Sequence, residues 1–168
     1  MRDRPSTVYS VNVPVPGEAV RLARGLAAEC LTATPRRGHS LVAKRLPDER
    51  FATMARQTRE TLAGTEPFDA RITGVDLFRD PPTGTAPVAY LVVESPELVR
   101  IHRRLCETFD PVPGFEGDEY DPHVTIARGG DAADLLGRDI ESYEWTVERL
   151  ALWHPGDEQT VESISLPA

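Results

Sequence analysis

One nine-residue run constrains the fold of this chain more than any other stretch, and it spans residues 120–128 (Tyr-Asp-Pro-His-Val-Thr-Ile-Ala-Arg). Pro122 excludes a helix through the run and favours extended backbone before it. The β-branched residues that follow favour a strand. Because alternate side chains of a strand share a face, His123 and Thr125 point to one side and the apolar residues point to the other. The run predicts either a strand with a titratable, functional face or an edge strand with a solvated polar face.

The length and composition favour one globular domain over residues 1–168. No apolar run approaches the roughly 20 residues of a membrane helix, and residues 1–5 lack the apolar segment of a signal peptide. We therefore expect a cytoplasmic, monomeric protein without membrane contact. Cys30 and Cys106 are far apart in helix-like contexts, which favours reduced thiols over a disulfide or a metal site.

The chain is acidic, with a net charge of -8, and Lys44 is its only lysine. A negative surface repels nucleic acid at long range, so a polyanion site requires a local basic patch. The basic residues that flank the two most informative stretches of sequence are Arg36, Arg37, Lys44, Arg45 and Arg128. We expect Arg128 and Lys44 in particular to contact a charged substrate.

Hydrophobic periodicity and turn residues predict an α+β chain with a mixed or antiparallel sheet. The predicted strands cover residues 7–15, 39–46, 68–79, 88–94, 120–128, 143–153 and 160–166, with a bulge at Gly74. The predicted helices cover residues 18–31, 47–62 and 96–106, with a short one over 131–136, and a basic turn is predicted over 34–38. The chain has neither a Gly-rich phosphate loop nor a Cys/His spacing suited to zinc.

The two halves of the chain look alike. Each has a strand, a helix and then a strand that opens with a histidine near a hydroxyl, namely His39 with Ser40 and His123 with Thr125. This predicts two lobes related by a pseudo-two-fold axis. Two imidazoles in one cleft can abstract one proton and donate another, which suits phosphodiester chemistry beside a 2′-hydroxyl and needs no metal. The alternative is that each histidine is a surface or hydrogen-bonded core residue.

With these residues the chain resembles members of the 2H phosphoesterase superfamily. Within that superfamily it is most similar to the branch that contains the 2′-5′ RNA ligase-like (LigT-like) proteins and the RNA 2′,3′-cyclic phosphodiesterases. That family carries two His-x-Thr/Ser-x motifs on central strands. The run His123-Val124-Thr125-Ile126 matches the motif, and Pro122 and Ala127-Arg128 beside it are also similar to the family. The order of elements and the wide spacing of the motifs agree. The resemblance implies a bilobal fold with pseudo-symmetric lobes of mixed or antiparallel sheet, helices on the outside and a central cleft.

The first motif departs from the family pattern. If His39 is its histidine, Leu41 stands at the hydroxyl position and Ser40 falls one residue early, where a regular strand turns it away from His39. The other register puts Ser40 at the hydroxyl position and Gly38 at the histidine position. We favour His39 as the catalytic residue because glycine cannot move protons, and because Gly38 can allow a bulge that reorients Ser40.

The resemblance implies that His39 and His123 act as an acid-base pair that hydrolyses 2′,3′-cyclic phosphate to a 2′-phosphate, without metal or cofactor. Running the same steps in reverse gives 2′-5′ ligation. RNA 3′ ends or small cyclic nucleotides would be the substrates, with Thr125 and Ser40 bonded to the phosphate. The alternative is an RNA- or nucleotide-binding module that has lost turnover through its altered first motif.

Aromatic residues allow two further interpretations. Tyr120 or Phe115 can stack on a base, and we expect Tyr120 to contact substrate. Trp145 and Trp153 have even spacing on one predicted strand, which favours core packing. His102 falls inside a predicted helix, which favours a structural role.

Overall fold

The computed structural model describes residues 9–154 and 156–168, so the first part of the predicted strand over residues 7–15 lies outside the described residues. The strands of the described part are β1 (Ser10–Val13), β2 (Thr34–Pro35), β3 (Leu41–Arg45), β4 (Phe68–Phe78), β5 (Val88–Glu94), β6 (His123–Arg128), β7 (Tyr143–Val147), β8 (Arg149–His154) and β9 (Gln159–Ser165). The α-helices are α1 (Gly17–Ala27), α2 (Phe51–Leu62) and α3 (Pro96–Thr108), and short 3-10 segments cover Gly117–Glu119 and Gly130–Leu135. None of the described helices is long and apolar enough to cross a membrane.

The strands form two antiparallel sheets, in the orders β3-β1-β8-β9 and β2-β6-β5-β4-β7. The run β3-β1-β8-β9 of the first sheet corresponds to the run β6-β5-β4-β7 of the second, with β2 added at the edge of the second. Helix α1 packs against β6, and α3 packs against β3. The helix of each half therefore contacts the sheet of the other half. This arrangement confirms the predicted bilobal α+β fold.

Strand β6 has the two faces that its sequence predicts. Val124 and Ile126 are fully buried in the hydrophobic core, while His123 and Thr125 are half-buried on the opposite face. The β-branched residues pack the pleated surface as expected. The bulge predicted at Gly74 is also present, since the pairing of β4 with β5 shifts register between Ile72 and Gly74. The two thiols of Cys30 and Cys106 are free, as predicted.

The prediction of a single strand over residues 143–153 is wrong, because this part of the chain forms two strands that belong to different sheets. β7 pairs with β4 in the second sheet, and β8 pairs with β1 in the first. The chain changes sheet at Glu148, which lies between them. The alternation of apolar and polar residues breaks at this point, because the polar Glu148 and Arg149 follow one another between buried Val147 and Leu150, and the prediction of one continuous strand overlooked that break. As a result, Trp145 and Trp153 lie in different lobes rather than on one strand face.

The segment before β3 also differs from the prediction. β3 begins at Leu41, so His39 and Ser40 precede the strand rather than open it. Part of the predicted turn over residues 34–38 is strand β2, which pairs with β6 through Thr34 opposite Arg128. The backbone N–H of Arg36 continues this pairing with a 2.9 Å hydrogen bond to the carbonyl of Ile126. The segment that carries His39 and Ser40 is therefore fastened directly to β6.

Asp131 holds the start of this segment in place. Its carboxylate accepts hydrogen bonds from the backbone N–H groups of Leu31 (2.7 Å), Thr32 (3.0 Å) and Ala33 (2.9 Å). These bonds to the charged form lower the pKa of Asp131 to about 2. The neighbouring Gly130 has φ +48°, and a Cβ there would lie 2.5 Å from the backbone of Thr32. Only glycine fits this close approach.

Replacing Asp131 with alanine is expected to lower the thermal midpoint by a few degrees, because three backbone donors lose their partner. A thermal melt measures the change. The matched control is Asp134→Ala, which removes an exposed neighbouring carboxylate and should leave the thermal midpoint unchanged. The pKa of Asp131 is lowered in the folded state, so its contribution is present above pH 4 and is lost as the pH falls from about 4 towards about 2. Equal midpoints for the two variants at pH 7 would contradict this.

Candidate active site

A central cavity of about 310 Å³ lies against the polar face of β6 and is lined by residues of both sheets. Its polar side carries His123, Thr125 and Ser40. The residues of its apolar side are Phe78, Pro81, Pro82 and Val88. The cavity therefore has a hydrogen-bonding side and a hydrophobic side, as small-molecule sites commonly do.

The imidazole of His123 is held in one orientation. Its Nδ1 lies 2.7 Å from the carbonyl oxygen of Asp121, and the rings of Phe78 and Tyr90 meet it edge-on at centroid distances of 5.0 and 5.3 Å. Burial lowers the pKa of His123, and the carbonyl and side chain of Asp121 oppose that shift in part. A neutral ring that donates from Nδ1 carries its lone pair on Nε2. His123 can therefore act as a base at neutral pH.

Two hydroxyl groups share the cavity with His123. Thr125 lies two residues further along β6 and so points to the same face. Ser40 reaches the cavity from the segment that precedes β3, and Val42, two residues further on, also lines the cavity. The structure thus brings together the predicted residues His123, Thr125 and Ser40.

His39 does not line the central cavity. It lines an adjoining cavity of about 520 Å³, which we call the side cavity and which also contains Arg37 and Trp153. Alternate residues of an extended chain share a face, and Val42, which lines the central cavity and not the side cavity, is three positions from His39 and so points the other way. The structure therefore does not place the two predicted catalytic histidines in one cavity.

The ring of His39 is only loosely held. Its Nδ1 lies 3.3 Å from the carbonyl oxygen of Thr125, at the long end of hydrogen-bond distances. Its Nε2 is buried and has no hydrogen-bond partner within residues 9–154 and 156–168. Burial lowers the pKa of His39, the contact with the carbonyl of Thr125 opposes that shift, and Arg24 and Arg36 add to it, so the surroundings favour the neutral ring.

The two cavities adjoin because Arg36, Ser40 and Arg128 line both of them. Arg128 donates a 2.9 Å hydrogen bond from Nη1 to the carbonyl of Thr83, and burial lowers its pKa. We call these three residues the shared border. It presents two guanidinium groups and a hydroxyl to both cavities, of which the central cavity is also lined by His123 and the side cavity by His39. Planar guanidinium groups bind phosphoryl oxygens well.

The predicted substrate contact of Lys44 is wrong. Its side chain is fully buried, and its Nζ lies 2.6 Å from a carboxylate oxygen of Glu116. The same ammonium donates to the carbonyl oxygens of Arg45 (2.8 Å) and Asp110 (3.1 Å). The loop over residues 109–120 covers Lys44, and its partner Glu116 lies 72 positions away. The local charge pattern around Lys44 does not reveal such a partner.

Tyr120 lies in the wall of the central cavity, but His102 covers one face of its ring. The two rings stack at 3.8 Å with an interplanar angle of 10°. The Tyr120 hydroxyl donates to the carbonyl of Val42 at 2.8 Å, and burial raises its pKa. The other predicted aromatic residue, Phe115, also lines the cavity and has the guanidinium of Arg45 4.4 Å from its ring centre.

Buried polar groups fix the loop that forms this wall. The carboxylate of Glu116 accepts the backbone N–H groups of Arg45 (2.7 Å) and Val112 (2.9 Å) in addition to Lys44. His102 bonds the carbonyl of Ala43 through Nδ1 at 2.7 Å and accepts the N–H of Gly117 through Nε2 at 2.9 Å. The predicted structural role of His102 is thus a specific one, because it ties the wall to β3. Sequence reasoning did not assign Glu116 a role.

Three residues of the two cavities gave no specific sequence signal. Phe78 ends β4, where an aromatic residue is ordinary strand composition. Trp153 was assigned to the core because its strand was predicted to be continuous. Arg36 was one member of a general basic patch, and only the pairing of β2 with β6 places it at the shared border.

Comparison with known proteins agrees with this fold. The sequence model of the 2′-5′ RNA ligase superfamily matches residues 40–159, and the chain belongs to this superfamily, whose LigT-like members are 2H phosphoesterases. A search of curated proteins gave no significant match.

Solved structures share the fold over nearly the full length of both chains. One is TT0787 of Thermus thermophilus, with a TM-score of 0.67, 21% identity and coverage of 95% of this chain and 97% of that chain. Another is E. coli LigT complexed with ATP, with a TM-score of 0.65, 15% identity and coverage of 96% and 98%. A structure described as a phosphoesterase has a TM-score of 0.64, 16% identity and coverage of 96% and 99%.

Proposed function

We propose that this protein is a phosphoesterase that hydrolyses 2′,3′-cyclic phosphates to 2′-phosphates, with His123 and His39 as its acid-base groups and no metal requirement. The observation that carries the proposal is that Arg36, Ser40 and Arg128 line two adjoining cavities, one of which is also lined by His123 and the other by His39. Superfamily membership supports chemistry on phosphodiester bonds. E. coli LigT has been crystallised with 3′-AMP, so a protein of this fold accepts a nucleotide.

The border residues suit a phosphoryl group. Arg36 and Arg128 can pair with its non-bridging oxygens, while Ser40 and Thr125 can donate hydrogen bonds to the same atoms. The apolar side of the central cavity, with Phe78 and Val88, can take the nucleoside. Charge that develops on phosphorus in the transition state then faces fixed positive groups, which lowers the barrier.

The proton transfers follow from an in-line displacement. Water attacks phosphorus and loses a proton to one imidazole, while the bond from phosphorus to the 3′ oxygen breaks and the other imidazole gives that oxygen a proton. Attacking and leaving oxygens lie on opposite sides of phosphorus, so two proton carriers on opposite sides of the border suit this geometry. The weak 3.3 Å contact and the unpartnered Nε2 of His39 favour turning its ring towards a bound phosphoryl group.

The test is hydrolysis of a 2′,3′-cyclic nucleotide in EDTA, with the position of the product phosphate determined by NMR. We expect turnover by the wild type, a 2′-phosphate product and a loss of about 10²-fold or more in kcat in His39→Ala. A folded protein that shows no turnover would overturn the proposal that it is a hydrolase of 2′,3′-cyclic phosphates. Full activity of His39→Ala would remove His39 from the mechanism and leave His123 as the histidine in contact with substrate.

The dependence of rate on pH gives a further prediction. The pKa values of His39 and His123 are both lowered by burial from the usual value of 6.5. One imidazole must be charged and the other neutral, so kcat/KM should be bell-shaped with its maximum below about pH 6.5, and it should fall as pH rises above that value. Initial rates from pH 4 to 9 at low substrate concentration measure this. A maximum above pH 7.5 would contradict it.

A second function is a nucleotide-binding module of the same fold without turnover. The position of His39 outside the central cavity favours it. This function predicts that a nucleoside 2′-phosphate binds equally well to wild type and His39→Ala, and that neither hydrolyses the cyclic phosphate.

The Gly38→His variant tests the other register of the first motif, in which residue 38 takes the histidine position. A Cβ at Gly38 would meet no atom within 4 Å, so the site has room for a side chain. A gain in turnover would assign the histidine position to residue 38.

A further inference from the structure

We propose that His102 is a positioning residue of the candidate active site: its neutral ring holds the loop over residues 109–120 in place as a wall of the central cavity, and a second proton on the ring releases that wall. This role is separate from the acid-base chemistry of His39 and His123. Only its effect on catalysis rests on the proposed function, because the hold on the loop exists without any substrate.

His102 occupies a position of α3 that faces the protein interior. It belongs to the buried stripe of the helix with Leu98, Ile101 and Leu105, and its side chain is fully buried. A buried imidazole needs hydrogen-bond partners, and those of His102 include groups on two other segments of the chain. One is the carbonyl oxygen of Ala43 in β3, which lies 2.7 Å from Nδ1. The ring is therefore fixed to the first sheet on one side.

The partners of the ring determine which nitrogen carries the proton. The carbonyl of Ala43 can only accept a hydrogen bond, so Nδ1 donates to it. The backbone N–H of Gly117 can only donate, and it lies 2.9 Å from Nε2. The thiol of Cys106 lies 3.4 Å from the same nitrogen, and burial raises its pKa, which keeps it protonated as a weak donor. A second proton has to go on Nε2, where it would meet the N–H of Gly117 instead of an acceptor.

The loop side of His102 is the side that carries the cavity wall. Gly117 begins the 3-10 segment that leads to Tyr120, and the ring of Tyr120 stacks on His102 at 3.8 Å. The Tyr120 hydroxyl donates to the carbonyl of Val42, and both residues line the central cavity. Loss of the Gly117 bond therefore acts on the cavity through Tyr120, while the bond to Ala43 in β3 remains.

The charges that face His102 come from the loop, from β3 and from α3. Burial lowers the pKa of His102, the bond to Ala43 and the carboxylate of Glu116 oppose that shift, and Lys44 and Arg103 add to it. The ring is thus harder to protonate in the closed wall than in water, where its pKa is about 6.5. Closure is therefore fully favoured above about pH 6.5, and its equilibrium constant falls by up to about tenfold per pH unit below that value.

The first test is amide hydrogen exchange of Gly117, followed by NMR between pH 7 and pH 5 without ligand. Protection, corrected for the intrinsic exchange rate, should fall by up to about tenfold per pH unit below about pH 6.5. The amide of Leu91, which lies in the centre of the second sheet, should keep its protection. The nitrogen signals of His102 should show an unprotonated Nε2 at pH 7. Protection of Gly117 that does not change with pH, or a proton on Nε2 at pH 7, would overturn the proposal.

The His102→Gln variant separates protonation from the mere presence of a side chain. The amide oxygen of glutamine can accept the N–H of Gly117 but takes no proton in this pH range, so the pH dependence of Gly117 protection should vanish. The matched control is His154→Gln, at a histidine outside both cavities, and it should keep the pH dependence of the wild type. If His102→Gln does not fold, the wild-type titration of His102 and Gly117 still decides the proposal.

The effect on the active site is measured as KM for a 2′,3′-cyclic nucleotide, whose phosphate keeps one negative charge over this pH range. Between pH 7 and pH 5, KM of the wild type should rise by about three- to tenfold more than KM of His102→Gln, because the released wall no longer completes the cavity. An equal rise in the two proteins would overturn the role of His102 at the cavity. Absence of turnover in every variant would overturn the proposed function instead, and the exchange of Gly117 would then decide the role of His102.

Discussion

His123→Ala is expected to lower kcat for cyclic-phosphate hydrolysis by about 10²- to 10⁴-fold, while the protein stays folded. His123 is the histidine of the central cavity, and its Nδ1 bond to the carbonyl of Asp121 directs the lone pair of Nε2 away from the backbone. The ring is also half-buried against Phe78 and Tyr90. No other neutral-pH titrator lines the central cavity among the described residues, so a nearby group cannot take over the proton transfer.

The matched control is His154→Ala. His154 lies at the end of β8, outside both cavities, and its Nδ1 accepts the N–H of Asp157 at 3.0 Å. The His154→Ala variant also removes an imidazole, but one outside the proposed site. It should therefore keep the wild-type kcat. Thermal melts of both variants separate loss of catalysis from loss of fold. Activity of His123→Ala within a factor of about three of the wild type would reject His123 as a proton carrier.

Glu116→Gln is expected to lower the free energy of unfolding by about 3–5 kcal/mol. The change keeps the shape of the side chain but removes the charge that faces the fully buried ammonium of Lys44. An uncompensated buried charge is costly, because no water replaces the lost partner. The amide also replaces one of the oxygens that accept the N–H groups of Arg45 and Val112. The loop that forms the cavity wall should loosen, so KM should rise as well.

The comparison variant is Glu94→Gln. Glu94 pairs with Arg71 at 3.0 Å, but both side chains are about half exposed. Exposed pairs contribute between zero and about 1 kcal/mol, so urea denaturation should find a small change here and a large one for Glu116→Gln. Similar losses in the two variants would mean that burial of the Lys44 pair does not govern its energetics.

Local sequence determined the elements and one half of the site. The alternation of His123 and Thr125 with Val124 and Ile126 fixes which face of β6 is polar, because side chains of a strand alternate strictly. Turn residues and apolar spacing located most strands and helices for the same reason, since these signals act over a few residues. The likeness of the two halves also predicted two similar lobes, and the two sheets have matching strand orders.

Only the tertiary structure decided the other half of the site. Whether Ser40 or His39 faces His123 depends on how the segment before β3 is fastened to β6 through Arg36, a contact across 90 residues of chain. Lys44 is buried because Glu116 lies over it, and Trp153 reaches the side cavity because the chain changes sheet at Glu148. Each outcome depends on pairing between distant segments, whose energy is not encoded in the periodicity of either segment alone.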